Sequence, residues 1–293
     1  MKRTRTSNQW QGWLYVSPAL LFVGVFVLIP LFQLVAMSTT DRSLLGGGRF
    51  IGLGNYIKIW NDAGFWRALM FTIKYTIVLT PILMVLGFAL ALLTADNTPL
   101  KRLTRTIVFL PVVIGLSRSS LLWFWLFDEQ VGLLNKLMTD LHVIAQPMVW
   151  FVSADLAFWA VVISITWKVL GFGMVLFIAG IQSIDREIME AAVVDGAGYW
   201  TRVFRIILPL SRRIILLTTL VSAIGSMLAF DQFYIMTSGG PRGQTFTAVY
   251  WIYQNSFVSF KLGYGAALSI VLTVIILVFS TLQIALTARS QAR

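Results

Sequence analysis

Six apolar runs, each about long enough to cross a bilayer, constrain this chain more than anything else in it. They lie near Leu14 to Met37, Ala68 to Leu93, Ile107 to Phe127, Leu156 to Ile181, Ile214 to Met236 and Leu262 to Ala288. About 20 apolar residues span the hydrocarbon core as a helix, where every backbone polar group must be satisfied within the segment. Barrel strands would instead alternate polar and apolar over about ten residues. The expectation is an all-α integral membrane protein with six transmembrane helices. Composition agrees: 58% hydrophobic and 12% charged residues, with a mean hydropathy of +0.81, leave too little polar surface for a water-soluble fold of 293 residues.

The cations set an orientation. With the N-terminus inside, the inner segments carry Lys2, Arg3, Arg5, Lys101, Arg102, Arg105, Arg186, Arg202, Arg205, Arg212, Arg213, Arg289 and Arg293, which is 13 of the 23 Lys and Arg. The outer loops hold seven: Arg42, Arg49, Lys58, Arg67, Lys136, Arg242 and Lys261. This asymmetry predicts a multi-pass protein of the cell (inner, cytoplasmic) membrane with both termini cytoplasmic. The net charge of +11 then borders anionic lipid, and with no base-reading motif it carries no nucleic-acid signal. Lys2, Arg3 and Arg5 resemble the start of a signal peptide. The run after them is too long, however, and Met37-Ser38-Thr39-Thr40 is a poor cleavage site, so a retained anchor helix is expected. The absence of cysteine removes disulfides and thiolate metal sites, and the single histidine, His142, reads as a surface residue of an outer loop. No metal site is expected.

Between the fourth and fifth runs lies a charged segment with internal order. Ser183 is placed to cap a helix whose first turn carries Asp185 and Glu187. Ile184, Ile188, Ala191 and Ala192 then recur at helical spacing, with Arg186, Glu187 and Glu190 off that stripe. Gly196 and Gly198 interrupt it, a basic aromatic stretch from Tyr199 to Leu208 follows, and Pro209 precedes the next membrane entry. The residues alone allow an amphipathic helix lying on anionic lipid or a bent helix pair projecting into the cytoplasm.

The spacing Glu190-Ala191-Ala192, three residues, Gly196, nine residues, Ile206, one residue, Leu208-Pro209 resembles the loop of binding-protein-dependent ABC importer permeases at every fixed position. The resemblance covers roughly Ala68 to Leu286 and implies a type I ABC importer permease architecture with a cytoplasmic coupling helix. It also implies that Glu190, Ala191, Ala192, Asp195, Gly196, Ala197, Ile206, Leu208 and Pro209 form the contact with an ATP-binding subunit. Two ATP-binding cassette subunits would bind ATP and Mg, with a second homologous permease alongside and a soluble binding protein outside. This chain itself has no Gly-x-x-x-x-Gly-Lys-Ser/Thr phosphate loop, so no cofactor is expected on it and it is not itself an enzyme. Residues 1–67 are expected to form an N-terminal tail, a peripheral first helix and the first outer loop. Residues 68–288 would be the permease core, and 289–293 a cytoplasmic tail.

Ionisable groups within spans are costly and usually face a cavity or a partner. Lys74, near the outer end of its span, reads as a snorkelling side chain. Arg118 sits among Ser117, Ser119 and Ser120, Lys168 beside Trp167, and Asp231 within Phe230-Asp231-Gln232-Phe233-Tyr234. Two readings stay open: a buried ion pair between Asp231 and either cation, or a substrate pathway of Asp231, Gln232, Tyr234, Arg118 and Lys168. Hydrogen-bonding groups beside flat aromatic faces, Trp123 and Trp167 included, suit a polyol. Thr237-Ser238-Gly239-Gly240-Pro241 resembles a segment of sugar and glycerol-phosphate permeases and shifts the expected cargo towards carbohydrates.

Competing classes are an ion-coupled secondary transporter using Asp231, which leaves the Glu190–Pro209 pattern unexplained, and an intramembrane enzyme, which lacks a base for Ser117. In the outer loops, Phe50 to Tyr56 reads as a turn into an interfacial helix, resembling a G-L-x-N-Y segment of the family. Leu133, Leu134, Leu137 and Leu141 read as a short surface helix.

Overall fold

The computed structural model describes residues 9–291, so the tail cations Lys2, Arg3, Arg5 and Arg293 lie outside the described residues. In chain order the helices are α1 (Gln9–Val23), α2 (Ile29–Ser38), α3 (Gly54–Trp60), α4 (Ala63–Thr94), α5 (Pro99–Val113), α6 (Leu116–Leu126), α7 (Leu133–Asp140) and α8 (Ala154–Gln182). They continue as α9 (Arg186–Val194), α10 (Tyr199–Arg202), α11 (Leu208–Leu210), α12 (Arg212–Met227), α13 (Asp231–Thr237), α14 (Ala248–Tyr253) and α15 (Leu262–Gln291). One-turn π segments at Gly24–Leu28, Val203–Ile207 and Gln254–Val258 join α1 to α2, α10 to α11 and continue α14. Among the described residues there is no named strand, only isolated bridges at Thr40–Phe50 and Ser43–Gly46.

Four helices are long and apolar enough to cross a membrane: Gly12–Ser38, Ala63–Thr94, Ala154–Gln182 and Leu262–Ala285. The other two expected spans are bent pairs, Pro99–Val113 with Leu116–Leu126 at 100° and Tyr199–Leu210 with Arg212–Met227 at 69°. The third apolar run is therefore not one helix. Ile114 and Gly115 adopt extended backbone (ψ 133° and 142°), which ends α5 and restarts the chain as α6. The fifth run also breaks: α12 stops at Met227, and Phe230 (φ −139°, ψ −66°) leaves helical geometry before α13. Hydropathy registers apolar length and is blind to these two breaks, because the breaking residues are themselves apolar or glycine.

The chain divides into two compact units. One comprises the described residues up to Asp62 with Ile252–Val274; the other comprises Ala63–Trp251 with the helix from Ile275. In the first, the most apolar 18-residue stretch within Gly12–Ser38 has no residue buried among the described residues, as a lipid-facing helix requires. Its end is pinned by α3. Buried Asn55 donates to the carbonyls of Ser38 and Thr40, both at 2.8 Å, and Tyr56 Oη lies 2.8 Å from Ser38 Oγ. The Ser38 carbonyl is one that a helix end leaves without a partner, so Asn55 has a capping task here, while Tyr56 holds the Ser38 side chain. Asn55→Ala should cost about 2 kcal/mol by orphaning the carbonyls it bonds. It should lower the detergent melting temperature, and an unchanged value would refute the role.

In the second unit α4 packs against α8 and α12, α5 against α8, and α13 against α6. The core is aromatic: Phe233 meets Phe71 and Tyr75 edge-on at 5.2 and 5.0 Å, and Phe71 meets Phe158 at 5.9 Å. Helix starts follow local chemistry, with Thr98 capping α5 through Lys101 N and Ser153 capping α8 through Leu156 N. In the loop carrying α7, buried Asn135 takes four bonds, donating to the Asp128 and Met148 carbonyls and accepting from Met148 N and Trp150 Nε1. Asp128 accepts from Gln130 N and Val131 N, which holds its carboxyl below the ordinary aspartate range.

Candidate functional site

The Glu190 segment begins differently from the sequence expectation. Ser183 ends α8 rather than starting α9, its Oγ donating back to Gly180 O at 2.7 Å, and Asp185 takes the cap position without a side-chain capping bond. Helix α8 runs to Gln182, one residue past the apolar run, and so the serine becomes its C-cap. Helix α9 then closes with a Schellman arrangement: Gly196 N donates to Val193 O at 3.0 Å and Ala197 N to Ala192 O at 2.9 Å. Gly196 has φ +75°, the left-handed geometry this closure demands, which explains why a glycine follows the Glu-Ala-Ala triplet by three residues.

Only Ala192 of α9 is buried. Glu190 and Ala191 are exposed, as are Ile188, Val193 and Val194, leaving an apolar and acidic face that none of the described residues covers. Asp195 is exposed and Ala197 half-buried. From Tyr199 to Leu210 the chain is helical through its π turn, burying Val203 and Ile207; Ile206 is half-buried while Leu208 and Pro209 are exposed at the 69° bend. The base of the loop is tied down by two residues that the sequence reading did not single out for this. Arg105 donates to the carbonyls of Thr94, Ala95 and Asp96 at the end of α4, and Gln182 Nε2 donates to Ala95 O at 3.0 Å. Met189, Tyr199 and Arg202 line a cavity of about 470 Å³ above that junction.

The intramembrane polar groups do not form one cluster. Lys168 is 7% exposed and its Nζ donates to Val112 O at 2.9 Å. That carbonyl belongs to the last turn of α5, which lacks an intrahelical donor, so Lys168 caps a broken helix. Asp231 accepts from Ser117 Oγ at 2.9 Å and opens α13, where the helix start favours a carboxylate. Asp231 forms no ion pair with Arg118 or Lys168, contrary to the pairing the sequence allowed; the helix breaks supply both charges with other partners. Arg118 is exposed beside Ser117 on α6. Gln232 turns inward, its Nε2 at 3.4 Å from Tyr75 Oη, while Tyr234 is exposed and stacks on Phe230 at 5.2 Å. Trp123 meets Trp167 edge-on at 5.6 Å, and the Trp123 Nε1 and Gln232 Oε1 atoms are buried without a partner. Lys74 reaches Asp155 at 3.5 Å and lies over the Phe158 ring, an exposed pair of little energetic weight.

After α13, Ser238, Gly239, Arg242 and Gly243 all have positive φ, and a Cβ on Gly239 would come within 2.6 Å of Phe246. Three threonines hold this loop: Thr237 Oγ1 lies 2.8 Å from Thr245 Oγ1, Thr245 donates to Gly240 O, and Thr247 donates to Ala229 O at 2.6 Å. Thr245 and Thr247 were missed in the sequence because a loop threonine carries no periodic signal.

A helical bundle with two broken spans, polar groups on their broken ends and a capped helix standing clear at one border defines a membrane-embedded transport subunit. The chain belongs to the family of binding-protein-dependent transport system inner membrane components, which matches residues 51–291. It is 35% identical to the lactose transport system permease protein of Rhizobium radiobacter over 93% of this chain and 92% of the other. It is 33% identical to the sulfoquinovosyl glycerol transport system permease protein of Agrobacterium fabrum, covering 88% and 84%. The fold is that of a type I ABC permease: a chain in the crystal structure of a bacterial alginate ABC transporter, solved with an alginate pentasaccharide-bound periplasmic protein, superposes with a TM-score of 0.84 at 19% identity over 96% and 94% of the two chains.

Proposed function

We propose that this chain imports a carbohydrate-like solute (sugar, oligosaccharide or glycerol phosphate) by alternating access driven by ATP hydrolysis on separate subunits. In this reading two ATP-binding cassette subunits holding ATP and Mg dock on α9 from the cytoplasm. A second, homologous permease completes the pathway, and an extracytoplasmic binding protein delivers cargo. Both termini are cytoplasmic. The observation that carries the proposal is α9 itself, whose uncovered Ile188, Val193 and Val194 beside Glu190 make a surface built to be covered. Closure of the ATPase pair would move α9 as a lever, and the bends at 114–115 and at Ser211 give the helices joints about which to rock. Carbohydrate cargo is supported by the lactose and sulfoquinovosyl glycerol permeases to which the chain is similar, and by the exposed Ser117 hydroxyl and Tyr234 ring beside the half-buried Asp231 carboxylate.

The assembled importer, reconstituted in proteoliposomes and offered a panel of labelled sugars, should take one up only with ATP and should keep doing so when an uncoupler is added. Uptake that collapses with the uncoupler despite ATP would favour ion coupling through Asp231. Asp231→Ala should reduce uptake roughly tenfold, the loss of one charge-assisted hydrogen bond, without disturbing assembly. Undiminished uptake of the true cargo would remove Asp231 from the pathway.

A further inference from the structure

One groove takes no part in α9 or in the polar groups of the spans. Where α12 begins, Leu210, Ser211, Arg213, Ile214 and Leu217 face Gly180 near the end of α8 across a cavity of about 480 Å³. The floor is tight, since a Cβ on Gly180 would fall 2.3 Å from Ile214 Cγ2. Ser211 is 2% exposed and its Oγ has no hydrogen-bond partner, an arrangement that costs free energy unless something bonds to it. It stands at the cap position of the 16-residue α12 but caps no backbone N–H, which leaves the positive helix start without its usual side-chain oxygen. Arg213, exposed at the second position of α12, joins no ion pair among the described residues. The remaining walls are aliphatic except for Ser183, whose hydroxyl already donates to Gly180 O.

We propose that this groove binds the headgroup of an anionic phospholipid. The phosphodiester sits against Ser211, Arg213 and the first turn of α12, and an acyl chain lies along Leu210, Ile214 and Leu217. A hydroxyl, a guanidinium and a helix start at one groove are the donors a phosphate oxygen takes. An aliphatic wall running on from them favours an acylated phosphate over a free, hydrated one. The groove shares the border of the membrane with the Glu190 loop, and the assignment holds whichever face that is.

Native mass spectrometry of the assembled importer, extracted from membranes containing phosphatidylglycerol and phosphatidylethanolamine, tests this. One retained phosphatidylglycerol per copy of the chain is expected. Retention should fall at least about fivefold in Arg213→Gln and further with Ser211→Ala added, while Arg102→Gln, a cation away from the groove, leaves it unchanged. Equal retention in the double variant and the parent overturns the proposal. Displacement of the lipid by inorganic phosphate alone, or a photocrosslinker at position 217 that labels only another polypeptide, overturns it as well. Recovery of the ATPase subunits from the same samples reports separately on the importer assignment.

Discussion

Replacing Gly171 with leucine is expected to eliminate the folded permease, and Gly171→Ala alone should lower its melting temperature sharply. A Cβ at this position would lie 2.4 Å from Val108 O and 2.7 Å from Phe109 Cα. Both atoms are backbone of α5, so no rotamer change relieves the overlap and α5 must move off α8. Overpacking costs about 1–3 kcal/mol where side chains can yield, and here they cannot. The same displacement would pull Val112 O from Lys168 Nζ, three residues before Gly171, leaving an ammonium and a helix-end carbonyl unpaired in the membrane. Gly173→Ala is the control: its nearest neighbour, Thr218 Cγ2, would be 3.9 Å away, an ordinary contact. Equal melting temperatures for Gly171→Ala and Gly173→Ala would show that the crossing of α5 and α8 is not set by Gly171.

Charge reversal at Glu190 is expected to act through a partner rather than through the chain's own stability. Glu190 is exposed and, among the described residues, pairs with Arg186 Nε at 3.6 Å, one turn back, with both side chains mostly in solvent. Glu190→Lys should therefore leave membrane insertion and melting intact. Across an interface a misplaced charge costs several kcal/mol, so co-purification of the ATPase subunits and ATP-dependent uptake should each fall roughly a hundredfold. Survival of both would show that α9 is not the docking element. Gly196→Leu should also impair docking. No atom of the described residues lies within 4 Å of the Cβ position, but φ is +75°, which a leucine adopts at a cost of about 1–2 kcal/mol. Gly196→Asn, which tolerates that geometry, separates strain in the closure of α9 from a clash with the partner.

How far the sequence reached can be seen at particular residues. Helix class, the six apolar segments, the surface helix at Leu133 and the amphipathic element at Glu190 were all legible, because each is a statement of period and length. The glycine at 196 was legible as a stop, although its Schellman closure was not. Ser183 was assigned to the wrong helix, since a serine between two helices can end one or start the other and only backbone geometry says which. Lys168 and Asp231 stand out in the sequence as charges within apolar runs, yet their partners, Val112 O and Ser117 Oγ, lie 56 and 114 residues away and left no local trace.

The sequence by itself determined that this chain lives in a membrane as helices and carries the transport-family loop between its fourth and fifth spans. Those properties follow from transfer free energy and from short-range spacing, which a linear string records completely. Tertiary structure alone decided that two of the spans are broken, that Lys168 caps one of the breaks instead of pairing with Asp231, and that Ser211 faces a groove with no partner. These depend on which backbone atoms come within hydrogen-bonding distance once helices cross, and that proximity arises from packing between segments distant along the chain.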